Sequence, residues 1–106
     1  MWDDHDYGTN NGDRTFPLKH VMRDIFLDFL GEPADTERRL DKDSPLHQDY
    51  VILTPEGLKV HFLLLDIRYA FDPETLDRFG PEQAAWLDEK FSEHPDSNLT
   101  LIASGV

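Results

Sequence analysis

Cysteine is absent from the 106 residues. That removes disulfides and thiolate metal sites, and it leaves the redox compartment unread. Long apolar runs are absent as well. No stretch exceeds residues 62–65, far short of the roughly 20 residues a membrane-spanning helix needs. Basic side chains are scarce, with 10 Lys and Arg against 22 Asp and Glu, for a formal net charge of −12. Such a field repels a phosphate backbone and argues against a nucleic-acid partner bound through electrostatics. A small phosphate ester in the same field needs a local positive centre, which bound metal ions can supply. The acidic N-terminus is followed by no apolar stretch of the kind a secretory signal carries. No internal repeat or low-complexity block interrupts the chain.

What is present reads as one globular domain with a modest core, since hydrophobic residues make up 39% and charged residues 30%. The most informative run is the first, Trp2-Asp3-Asp4-His5-Asp6-Tyr7-Gly8-Thr9-Asn10-Asn11-Gly12-Asp13. It gathers four carboxylates, one imidazole and two carboxamides. Oxygen ligands with one nitrogen suit hard or borderline cations, and such cations can turn water into a hydrolytic nucleophile. An EF-hand loop fits in neither register: a start at Asp3 puts His5 and Tyr7 at ligand positions, and a start at Asp4 puts Thr9 where glycine is required. The bland alternative is a solvated acidic terminus.

Residues 1–14 read as a loop. Leu18, Val21, Met22, Ile25, Phe26 and Phe29 then recur at helical spacing and predict a helix over residues 17–30. Thr15 is placed to cap it, Pro17 suits its first turn, and Gly31 with Pro33 marks its end. Burying that stripe is expected to contribute roughly 10 kcal/mol gross. Residues 32–48 are irregular, with a short helical turn near residues 37–40. Strands are predicted at residues 50–53 and 58–66, joined by a turn at Pro55-Glu56-Gly57. In the second, Val60, Phe62 and Leu64 face one way and His61, Leu63 and Leu65 the other. Both sets are largely apolar, which predicts a strand covered on both sides. Residues 73–79 form a loop, residues 81–94 a helix with Ala84, Leu87, Trp86 and Phe91 as core, and residues 99–103 a third strand.

The opening run resembles the W-D-D-H-(D/E) signature of the PhoD-like alkaline phosphatases, a branch of the calcineurin-like metallophosphoesterases. Three further segments agree in order. Leu65-Asp66-Ile67-Arg68 is similar to the family's L-D-x-R element, and residues 79–87, Phe-Gly-Pro-Glu-Gln-Ala-Ala-Trp-Leu, to its L-G-x-E-Q-x-x-W-L element. Ile102-Ala103-Ser104-Gly105-Val106 resembles the strand that follows. The resemblance implies an α/β fold, part of a layered αββα sandwich with about three strands and two main helices, with metals at the carboxyl ends of its strands. It implies a metal-dependent phosphoric ester hydrolase acting on phosphate mono- and diesters. The implied cofactors are divalent or trivalent metal ions, calcium and iron or another divalent pair. The family site also draws on an aspartate-bearing segment before this loop and a histidine- and aspartate-bearing segment after the last strand. Residues 1–106 are therefore expected to be about the middle third of a catalytic domain, without activity alone. Family members are often exported, by a signal that would lie upstream.

Carried over position by position, Asp4 takes the place of the asparagine in the superfamily's G-N-H-(D/E) loop and is the implied metal ligand. His5 takes the histidine place, where it would contact phosphoryl oxygens or assist the leaving group. Asp3 and Asp6 become supports or weaker ligands, and Asn11 a phosphate or metal contact. Arg68, just past a strand, is a candidate phosphate-facing arginine, because open α/β sheets collect ligands at such ends; the alternative is an ion pair with Asp66 or Asp72. His61, mid-strand in an apolar run, reads as a packed core histidine, and His20, His47 and His94 have no supporting sequence neighbours. Ser104-Gly105 lacks the second glycine and the base of a serine hydrolase. The competing function is an acidic, non-catalytic module that binds a cation or a protein partner.

Overall fold

The structure, a computed structural model, describes residues 1–105. Among them the element order is α1 (Asp4–Tyr7), α2 (Lys19–Phe29), α3 (Glu37–Leu40), β1 (Gln48–Leu53), β2 (Lys59–Leu65), α4 (Gly80–Glu93) and β3 (Leu99–Ser104). The three strands make one mixed sheet in the order β1-β2-β3. β1 and β2 are antiparallel, with Asp49 opposite Leu63 and Val51 opposite His61. The hairpin closes where the sequence predicts, through Gly57 N–H to Thr54 C=O and Thr54 N–H to Leu58 C=O, both 2.9 Å.

β3 pairs with β2 in parallel, Phe62 opposite Leu101 and Leu65 opposite Ser104. A parallel pair needs a crossover connection, and α4 supplies it. Gln83 in its first turns meets Asp66 beyond the end of β2, and His94 at its close meets His61 near the start of β2. The helical rise from Gln83 to His94 and the strand length from His61 to Asp66 are both about 16 Å. α4 therefore runs back along β2 on the face that carries His61, Leu63 and Leu65, and all three are buried. The expectation that both faces are covered does not hold. Val60, Phe62 and Leu64 are only half-buried, and Tyr50, Ile52, Leu99 and Leu101 beside them are exposed. α2 packs against α1 and leaves that face open.

Two further readings are corrected. The stripe on α2 has the wrong phase: Leu18, Val21, Ile25 and Phe29 are exposed, while Arg23 and Leu27 are buried, so most of the expected burial energy is absent. Arg23 is turned inward by its donors. Its Nη1 reaches the Arg38 carbonyl at 2.8 Å and its Nη2 the Asp41 carbonyl, which gives a buried guanidinium two acceptors at the end of α3, while its Nε finds none among the described residues. Thr15 does not cap α2; its hydroxyl bonds Asp13 at 2.7 Å. The C-terminus does end as read. Gly31 has φ +69°, its N–H bonds the Asp28 carbonyl at 3.0 Å, and Glu32 N–H bonds the Leu27 carbonyl at 2.9 Å, the paired bonds of a Schellman motif. On α4 the buried residue is Gln83. Phe91 is exposed, and Trp86 is half-buried with its ring 4.2 Å from that of His47.

The core lies between the opening segment and α2. Trp2, Tyr7, Leu27, Leu46 and Tyr69 are buried together, with Phe16 and Phe26 against them. Trp2 is at its centre, edge-on to Tyr7 at 5.1 Å and 5.3 Å from Phe26. Trp2 is therefore an anchor that fixes the residues following it.

Candidate functional site

Residues 4–7 form a helical turn where the sequence reading placed a loop. Asp3 is its N-cap, accepting the Asp4 N–H at 2.6 Å, and Asp6 returns a bond from the Asp3 N–H at 3.0 Å. This is a capping box built from two aspartates three residues apart. Asp3 and Asp6 thus satisfy backbone donors of α1.

Asp4 and Arg68 come together. Arg68 lies three residues beyond β2, and its Nη2 is 3.9 Å from Asp4 Oδ2. The guanidinium is 4% exposed and sits 6.0 Å over the Phe71 ring. Asp66 aims this segment: its Oδ1 accepts the N–H groups of Arg68 at 2.9 Å and Tyr69 at 3.0 Å, and its Oδ2 accepts from Leu46 at 2.8 Å. Asp72 pairs with Arg14 at 3.0 Å. His5 stands beside Asp4 in solvent, 79% exposed, with Nε2 3.8 Å from Asp4 Oδ1.

Asn11 approaches through its backbone. It adopts φ +56°, a left-handed conformation asparagine tolerates, and its N–H donates to Asp4 Oδ2 at 3.1 Å. That bond, more than the neighbouring His5 charge, holds the Asp4 carboxyl below the ordinary range, against the opposing effect of burial. The opening loop is seated on the far edge of the sheet. A Cβ on Gly105, just past β3, would overlap the Trp2 carbonyl oxygen. Asp4, His5 and Arg68 therefore gather at the carboxyl ends of the parallel pair β2 and β3, where α/β sheets hold ligands. Burial pushes the Tyr7 phenol above its usual range and the Tyr69 phenol up to about 12. Both stay protonated donors; Tyr7 bonds the Asp13 carbonyl at 2.9 Å and so closes the loop on itself.

The histidines read as isolated have partners. His20 meets the Tyr69 hydroxyl at 3.1 Å, and burial lowers the His47 imidazole against Trp86. Asp49, His61 and His94 offer ligand atoms within 4.8 Å of one another and lie close enough to hold a metal ion; among the described residues no other group of three does. Sequence reasoning missed this cluster and missed Gln83. A hairpin centred on Glu56 already sets Asp49 diagonal to His61, so that half was available from the turn; His94 arrives only through the crossover. Comparison with protein-family models, with curated proteins and with solved structures finds no match to this chain.

Proposed function

We propose that Asp4, His5 and Arg68 belong to the site of a metal-dependent phosphoric ester hydrolase of the PhoD-like kind, with this sheet as part of an αββα sandwich. The observation that carries the reading is the approach of the Arg68 guanidinium to Asp4, with His5 alongside, at the carboxyl ends of the parallel strands. Their roles follow from chemistry. Asp4, kept ionised by the Asn11 N–H, is the metal ligand. Arg68 is a planar donor for phosphoryl oxygens, rigidly held by burial. His5, free to turn in solvent, serves the phosphoryl oxygens or the leaving group. Bound metals would activate water and neutralise charge on the phosphoryl group. The half-open face around Phe62 is suited to a second sheet.

The donor set supports only part of such a centre. Asp3 and Asp6 are engaged as caps, and Asp4 with His5 is too few ligands for two metals, so further ligands must come from other segments. The 106 residues alone are expected to show no turnover of a chromogenic phosphomonoester or diester with calcium and ferric iron. A longer chain that contains these residues and supplies the remaining ligands should turn over, and Asp4→Ala or His5→Ala in it should abolish turnover. Turnover indifferent to both substitutions overturns the reading. The engagement of Asp3 and Asp6 favours a second reading, an acidic non-catalytic module; cation binding by the longer chain without turnover supports it.

A further inference from the structure

We propose that Asp49, His61 and His94 form a zinc-type metal site, separate from the opening loop, that fastens β1 and the end of α4 to β2. Three elements contribute one side chain each. Asp49 Oδ2 is 3.3 Å from His61 Nε2 and 4.0 Å from His94 Nε2, and the two imidazole rings stand edge to face at 4.7 Å. Ligands about 2.0–2.1 Å from a tetrahedral ion lie about 3.3–3.4 Å apart, so the cluster is already near that spacing.

The donor chemistry selects the ion. Two imidazoles and one carboxylate are a zinc ligand set, and the absence of thiolates and of further oxygens disfavours copper(I) and calcium. His61 is 1% exposed, and its Nδ1 is buried without a hydrogen-bond partner among the described residues. An ion on Nε2 would leave that nitrogen as it is, so the case rests on the Nε2 side, where the Asp49 carboxylate stands 3.3 Å away and the His94 ring is packed alongside. The charges around the cluster are matched elsewhere: Lys90 pairs with Glu93 at 2.7 Å and Lys59 with Asp96 at 2.6 Å. The ion-pair partners of Asp49 among the described residues are the two histidines. Asp49 and His94 are about a fifth to a quarter exposed, so water can reach the fourth position.

The test is zinc titration calorimetry on the whole chain, thermal melting, and the visible spectrum with cobalt(II). One zinc per chain, a raised melting temperature and a tetrahedral cobalt spectrum are expected. Asp49→Asn and His94→Gln, both on partly exposed side chains, should each weaken zinc by at least the roughly 10–100-fold that loss of an outer partner costs a metal site. No uptake by the native chain, meaning an Asp–His ion pair only, or uptake unchanged in both variants, overturns the proposal. Zinc lost in Asp4→Ala and kept in Asp49→Asn places the ion at the opening loop, which overturns this site and leaves the hydrolase reading standing.

Discussion

Gln83 and Asp66 bracket each other across the crossover. The Asp66 N–H donates to Gln83 Oε1 at 2.8 Å, and Gln83 Nε2 donates to the Asp66 carbonyl at 2.7 Å. Both residues are fully buried. The segment that carries Arg68 and the helix that returns the chain to the sheet are thus one hydrogen-bonded unit. Gln83→Leu keeps the volume and strands a buried N–H and a buried carbonyl. A loss of about 2–6 kcal/mol in urea unfolding is expected, at about 1–3 kcal/mol for each of the two unsatisfied groups. A loss under about 1 kcal/mol would mean that water reaches the Asp66 backbone.

The phase of α2 can be read by mutation. Leu27 is in the core and Phe29 is 84% exposed. Leu27→Ala should cost about 2–5 kcal/mol, and Phe29→Ala should stay within about 0.5 kcal/mol. The periodic pattern alone gives the reverse order, so chemical denaturation of the two variants separates the alternatives.

Gly105→Ala should lower stability by about 1–3 kcal/mol, because a Cβ there overlaps the Trp2 carbonyl oxygen and backbone must shift. In a Trp86→Phe background the emission of Trp2 should move to the red as its packing loosens. Unchanged emission and melting would separate the opening loop from the end of β3.

His47 makes stability depend on pH. Burial holds its imidazole below the ordinary 6.5, so the unfolded chain binds the proton more readily than the folded one. Stability from the neutral ring is present above pH 6.5 and is lost as pH falls from there through the lower folded value. Urea midpoints of the native chain should drop between neutral and mildly acid pH, and His47→Gln should flatten that part of the profile. An equal drop in both would assign the loss to the carboxylates.

Much of the frame was legible in the chain. The hairpin at Pro55-Glu56-Gly57, the strand at residues 99–103 and the helix ended by Pro95 rest on local turn chemistry and propensity, and each appears within a residue or two of its expected limits. The capping box of Asp3 and Asp6 was missed, because residues 1–14 read as a loop and the two aspartates as metal supports. The buried set was less legible as well. Arg23 and Gln83 lie inside because backbone carbonyls and a backbone amide elsewhere in the chain need their donors and acceptors, a demand no hydrophobic period records.

By itself the sequence determined where most helices and strands lie, the strongly acidic composition, and that Asp4, His5 and Arg68 are candidates for chemistry. Only the tertiary structure decided that Arg68 faces Asp4, that Trp2 anchors their loop, and that Asp49, His61 and His94 meet. Local conformation depends on neighbours a few residues away. Convergence of side chains depends on the crossover of α4 and on strand register, which are set by packing across the whole chain.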